Sequence, residues 1–123
     1  MSAKSVLFVD DEPQVLAALR DLMRPRRLRW SMRFAQGPDE ALREMEREPA
    51  DVVVTDLRMR GIRGDTLLAL LEAWHPETRR IVLSGHIRAD WSTNDAIRAH
   101  AVLKKPCDPD ALVQAIEGPT PAQ

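Results

Sequence analysis

Asp51-Val-Val-Val-Thr-Asp56, continuing into Leu57-Arg-Met-Arg60, is the stretch whose reading decides the fold. Val52, Val53 and Val54 are an unbroken β-branched run, too short for a free-standing helix and apolar on both faces. Such a run suits a strand in the middle of a parallel sheet. A carboxylate, Asp56, stands at its end. In open parallel α/β sheets the carboxyl ends of the strands form the ligand crevice, so an acid placed there is a candidate for chemistry. On this stretch alone Asp56 reads equally well as a turn former.

Length and composition bound the rest. The chain has 123 residues, 44% of them hydrophobic and 30% charged, with a formal net charge of -1. That describes one globular domain with a real core, and neither a disordered chain nor a nucleic-acid binder. No apolar run approaches a membrane span and no charged-then-apolar leader precedes the first strand, so a cytoplasmic location is expected. Cys107 is the single cysteine. It has no intrachain partner for a disulfide, which agrees with a reducing compartment.

Outward from Val52 the chain alternates strands and helices. Ser5 to Asp10 is a second apolar strand ending in acid, followed by Asp11, Glu12 and a helix that Pro13 opens and Pro25 closes. Leu28, Trp30, Met32 and Phe34 alternate with polar residues, as on an edge strand. The arginines among them, from Arg24 to Arg33, are read as a solvated charge run in preference to a binding patch. Gly37-Pro38 opens a helix with Ala41, Leu42 and Met45 inward, and Pro49 closes it. After Gly61 and Gly64, Asp65 is the expected N-cap of a helix carrying Leu67, Leu68, Leu70, Leu71 and a core Trp74. Ile81 to Ser84 is the next strand, Arg88 to Arg98 a loosely held helix, and Ala101 to Leu103 the last strand, leading into Lys104-Lys105-Pro106. Asp108 caps a final helix with Leu112, Val113 and Ile116 inward, which Gly118 ends.

Five strand–helix pairs with short connections predict an α/β fold: a doubly wound, five-stranded parallel sheet in the flavodoxin-like order 2-1-3-4-5. That order places Asp10 and Asp11 beside Asp56 on one rim, with Ser84 and Lys105 on the far side. Three carboxylates in one hollow oppose one another's ionisation unless a positive charge intervenes. A hard divalent cation such as magnesium, with oxygen ligands and retained waters, is the simplest answer.

With these residues in place the chain resembles a response-regulator receiver domain of two-component signalling. The resemblance rests on Val9-Asp10-Asp11-Glu12, on Asp56 with Met59 and Gly64 after it, on Ser84-Gly85 and on Lys105-Pro106. It spans essentially the whole chain, a domain of residues 4–118 with 119–123 as a linker stub. It implies that Asp56 is the phosphoacceptor for a sensor histidine kinase or phosphotransfer protein. It also implies that Asp11, Asp56 and the backbone carbonyl of Arg58 bind Mg2+, with Asp10 acting through a metal-bound water. Lys105 and Ser84 would engage the phosphoryl group, and Gly85 would leave room for it. The domain would be a signalling module, an enzyme only toward its own aspartate. It would control an output domain in cis or a partner protein, with a homodimer left open. The run Val82-Leu-Ser-Gly-His86 is similar to receivers attached to HD-type output domains.

Several positions depart from the family pattern. Val102 stands where an aromatic residue usually couples the strand-four hydroxyl to the surface, and Arg60 where a proline often follows Met59. Arg58 and His86 are expected to border the hydrolytic water and tune the phosphoryl lifetime. His75 and His100 read as surface residues, Cys107 as a small filler and Trp91 as an exposed partner contact. The rival readings each miss a feature. A degenerate docking receiver should lack an acid, the hydroxyl or the lysine. A haloacid-dehalogenase-like phosphatase should carry an acid where Arg58 stands. A flavodoxin should have a phosphate-cradling loop where the acids lie.

Overall fold

A computed structural model describes residues 3–56, 64–84, 99–105 and 108–118. Its elements run β1 (Lys4–Asp10), α1 (Pro13–Met23), a 3-10 turn (Arg24–Arg26), β2 (Trp30–Gln36), α2 (Pro38–Arg47), β3 (Val52–Asp56), α3 (Gly64–Trp74), β4 (Arg79–Ser84), β5 (Ala101–Lys104) and α4 (Pro109–Ile116). All strand pairs are parallel and the sheet order is β2-β1-β3-β4-β5. This is the expected doubly wound arrangement. The segment 88–98, with Trp91, and the tail 119–123 lie outside the described residues, as do Arg58, Arg60, Gly85, His86 and Cys107.

The valines of β3 are buried on both faces because a layer of helices lies on each side. Val6, Phe8, Val52, Val54, Ile81 and Leu83 pack against Leu16, Leu19 and Met23 of α1 and Leu112 and Ile116 of α4. Leu7, Val9 and Val53 pack against Ala41 and Met45 of α2 and Leu67 and Leu71 of α3. Adjacent strand residues feed opposite cores, as the pleat dictates. Full burial of each large apolar side chain contributes about 1.5–3 kcal/mol.

Four expectations need correction. Trp74 is 64% exposed and not core. It is the last residue of α3, past the start of the sheet, where the loop residues Pro49 and Ala50 border it. Asp65, expected to precede α3, lies within its range of Gly64–Trp74. The arginine run is not wholly solvated either. Arg33 sits on β2 and reaches α2, where its guanidinium donates to Glu44 Oε1 at 3.0 Å and to the Glu48 carbonyl at 2.7 Å. Leu28, expected to begin the edge strand, lies before β2 and is 87% exposed.

His100 ties β4 to the chain entering β5. Its N–H donates to the Arg80 carbonyl at 2.7 Å, and its Nδ1 accepts from the Arg80 N–H at 2.9 Å. A protonated Nδ1 cannot accept that bond. Burial, then the charges of Arg80 and Arg79, hold the imidazole below its ordinary 6.5. The folded chain therefore binds this proton less tightly than the unfolded chain, so stability falls as pH drops through and below 6.5. Urea midpoints at about pH 7.5 and about pH 5.5 should differ less in His100→Gln than in the parent. An equal difference in both would exclude the mechanism.

Candidate functional site

Parallel pairing in register brings the strand ends to one rim. Val9 lies opposite Thr55, so Asp10 and Asp56, the next residue of each strand, end side by side. Lys105 follows β5 directly and reaches back across β4. Its Nζ donates to Asp56 Oδ2 at 2.9 Å and lies 3.6 Å from Asp10 Oδ2. The structure thus brings Asp10, Asp56 and Lys105 together at one rim. Ser84 ends β4 one residue beyond Leu83, the register partner of Asp56. Its side chain, like Arg58, lies outside the described residues.

Asp10 is 3% exposed. Its Oδ1 accepts from the Glu12 N–H at 3.0 Å, and its carbonyl accepts from the Gly37 N–H at 3.0 Å. Gly37 has φ of 99°, a conformation that side-chain-bearing residues rarely adopt, so the glycine is what lets the β2–α2 turn brace β1. Burial raises the Asp10 carboxyl above its ordinary range. The Glu12 N–H and Lys105 pull it down, and Asp56 and Asp11 push it up. Burial by itself would lower Lys105, but the hydrogen bond and charge of Asp56 and the charge of Asp10 outweigh it and raise the ammonium. Lys105 is therefore held charged between two acids.

Among the described residues, Asp10, Asp11 and Glu12 form a group whose carboxylate oxygens lie within 4.8 Å of one another. An all-oxygen, anionic donor set of this kind fits a hard divalent cation. Glu12 was not singled out as a ligand from the sequence, although it continues the acid run. Two supporting residues were also missed. Thr55 is buried and its hydroxyl donates to the Asp56 carbonyl at 3.0 Å. Gly37 looked only like a helix start. His75 and His100 are not part of this acidic group.

The chain belongs to the response regulator receiver domain family, whose model it matches over residues 6–117. It is similar to the transcriptional regulatory protein GlrR of Escherichia coli, 36% identical over 117 residues that cover 91% of this chain and 25% of that protein. It is similar also to the hydrogenase transcriptional regulatory protein HoxA of Cupriavidus necator, 32% identical over 123 residues, 97% of this chain and 24% of that protein. This chain thus spans about a quarter of the length of these curated relatives. Among solved structures, the signal receiver domain of an HD domain-containing protein from Pseudomonas fluorescens Pf-5 superposes with a TM-score of 0.80. It is 26% identical and covers 94% of this chain and 92% of that one. No described helix is long and apolar enough to cross a membrane.

Proposed function

We propose that this domain, residues 4–118, takes a phosphoryl group onto Asp56 from a sensor histidine kinase or phosphotransfer protein in the cytoplasm. The observation that supports this is the Lys105 ammonium held 2.9 Å from Asp56 and 3.6 Å from the buried Asp10. A carboxylate oxygen of Asp56 attacks the phosphorus of phosphohistidine. The O–P bond forms as the P–N bond breaks, and the electron pair stays on the imidazole nitrogen. The transition state is loose, with charge on the equatorial oxygens, so positioned positive charge does most of the stabilising. Lys105 supplies such charge and then pairs with the phosphoryl group, while the Ser84 hydroxyl donates to a phosphoryl oxygen.

Asp10, Asp11, Asp56 and the Arg58 carbonyl would hold Mg2+, with Glu12 beside them. When bound, the ion neutralises phosphoryl and carboxylate charge. Arg58 and His86 would tune the rate at which water attacks phosphorus and returns the Asp56 carboxylate and inorganic phosphate. The acyl phosphate biases two loop arrangements by a few kcal/mol. Val102, half-buried on β5, stands where the family usually has an aromatic residue, so the coupling from Ser84 would run through another residue. The relatives named as transcriptional regulators support a transcriptional output outside this domain. An HD-type output is the second reading, supported by the 26%-identical receiver.

Intact mass after incubation with acetyl phosphate and magnesium tests the proposal. One phosphoryl adduct is expected, absent with EDTA and in Asp56→Asn. No adduct in the parent, or an adduct retained by the variant, would overturn it.

A further inference from the structure

The two ends of this sheet differ in kind. Asp10, Asp56 and Lys105 occupy the end where the strands finish. Each helix runs back against the strands, so helix C-termini and strand starts share the opposite end. The large hydrophobic side chains exposed among the described residues all lie there. Leu22 is in the last turn of α1 (39% exposed), Leu28 precedes β2 (87%) and Trp74 ends α3 (64%). Leu28 and the apolar lining of the hollows beside Trp74 are the apolar groups this end offers to a partner.

This end is also divided by charge. On the β2 side, Arg24, Arg26, Arg27 and Arg29 surround Leu28. Arg24 is paired with Asp21, and Arg29 lies 3.6 Å from Glu117. Arg26 and Arg27 make no ion pair among the described residues. On the β3 and β4 side, two hollows of about 370 Å3 each flank Trp74 and share Pro49 and His75. Leu42 and Met45 line one of them. Around them Glu46, Asp51 and Glu77 outnumber Arg43, and Glu46 and Glu77 likewise make no ion pair among the described residues.

We propose that this end is a self-association surface, on which a second copy of the chain seats its Arg26-Arg27-Leu28 tip in the hollows beside Trp74. Both halves lie on the same end of one molecule, so a two-fold axis lets each copy give its tip and receive the other's. That closes the pair and leaves no open edge for further growth. Leu28 fills apolar space, and a guanidinium has an aromatic ring at Trp74 and carboxylates at Glu46 and Glu77 to engage. The occupant is a copy of this chain because one surface carries both complementary parts. The contact lies on the end away from Asp56, so it leaves the phosphoacceptor rim open to a kinase.

Sedimentation velocity from about 1 μM to about 500 μM tests this. The parent should shift from monomer to dimer as concentration rises. Arg26→Glu with Arg27→Glu sets acid against acid at both contacts, and Glu46→Arg with Glu77→Arg sets base against base. Each double variant should dimerise at least about tenfold more weakly than the parent. Mixed, the two should associate again, since each tip then meets a groove of opposite charge. Far-UV circular dichroism checks that both fold. A parent monomeric throughout the range, including one whose hollows are covered by its own tail, overturns the proposal. So does dimerisation that the substitutions leave unchanged, or a mixture that fails to recover.

Discussion

Replacing Lys105 by methionine is expected to slow phosphoryl uptake from acetyl phosphate by about a hundred- to a thousandfold, with the fold intact. The scale is that of deleting one preorganised charge aimed at a developing oxyanion. Among the described residues, Lys105 is the cation bridging Asp56 and Asp10, at 2.9 and 3.6 Å. Methionine keeps the length of the stem and removes the charge, so the incoming phosphoryl oxygens meet the carboxylates without the Lys105 counter-charge. Lys105→Arg restores charge on a larger, planar head and should recover part of the rate. Time-resolved intact mass reads the rate directly, and circular dichroism confirms folding. An unchanged rate in Lys105→Met would remove the lysine from the mechanism and leave its ion pair a purely structural one.

Much of this site was legible because a parallel sheet converts chain order into position. Once Val52 to Val54 read as a central strand, Asp56 had to lie at the carboxyl rim, and the order 2-1-3-4-5 put Asp10 beside it. What the pattern could not reveal depended on where elements overhang the sheet. Trp74 has the helical spacing of a core residue from Leu67 and Leu71, but spacing says nothing about whether a strand lies beneath the last turn. Arg33 looked like one more member of a charge run. Its position on an edge strand beside α2 is what gives it Glu44 and the Glu48 carbonyl to bind. Gly37 carried two signals and only one was read: it opens α2, and its positive φ also directs an N–H at the Asp10 carbonyl. Glu12 needed coordinates, because an exposed acid after an acid pair has no distinguishing local pattern.

Substituting Asp10 by asparagine should stabilise the metal-free domain at neutral pH by about 1 to 2 kcal/mol, a rise of several degrees in Tm. Asp10 is 3% exposed and shares its hollow with Asp11 and Asp56, so its ionised form suffers desolvation and like-charge repulsion together. Asparagine keeps an oxygen able to accept the Glu12 N–H and gives up only the 3.6 Å approach of Lys105. The raised pKa sets the pH dependence. From 3.8 up to the elevated native value the folded chain binds this proton more tightly than the unfolded one, so the parent loses stability as pH rises through that window. The advantage of Asp10→Asn should be full above the window and should shrink toward nothing as pH falls to 3.8. Added magnesium should narrow the gap at neutral pH, because an ion that binds only the native parent stabilises it by mass action and the variant has lost one carboxylate of the set. Urea titrations across pH, with and without the ion, measure both effects. A variant less stable than the parent at neutral pH without magnesium would mean that Lys105 more than offsets the burial of Asp10, and that the acidic rim costs the fold nothing.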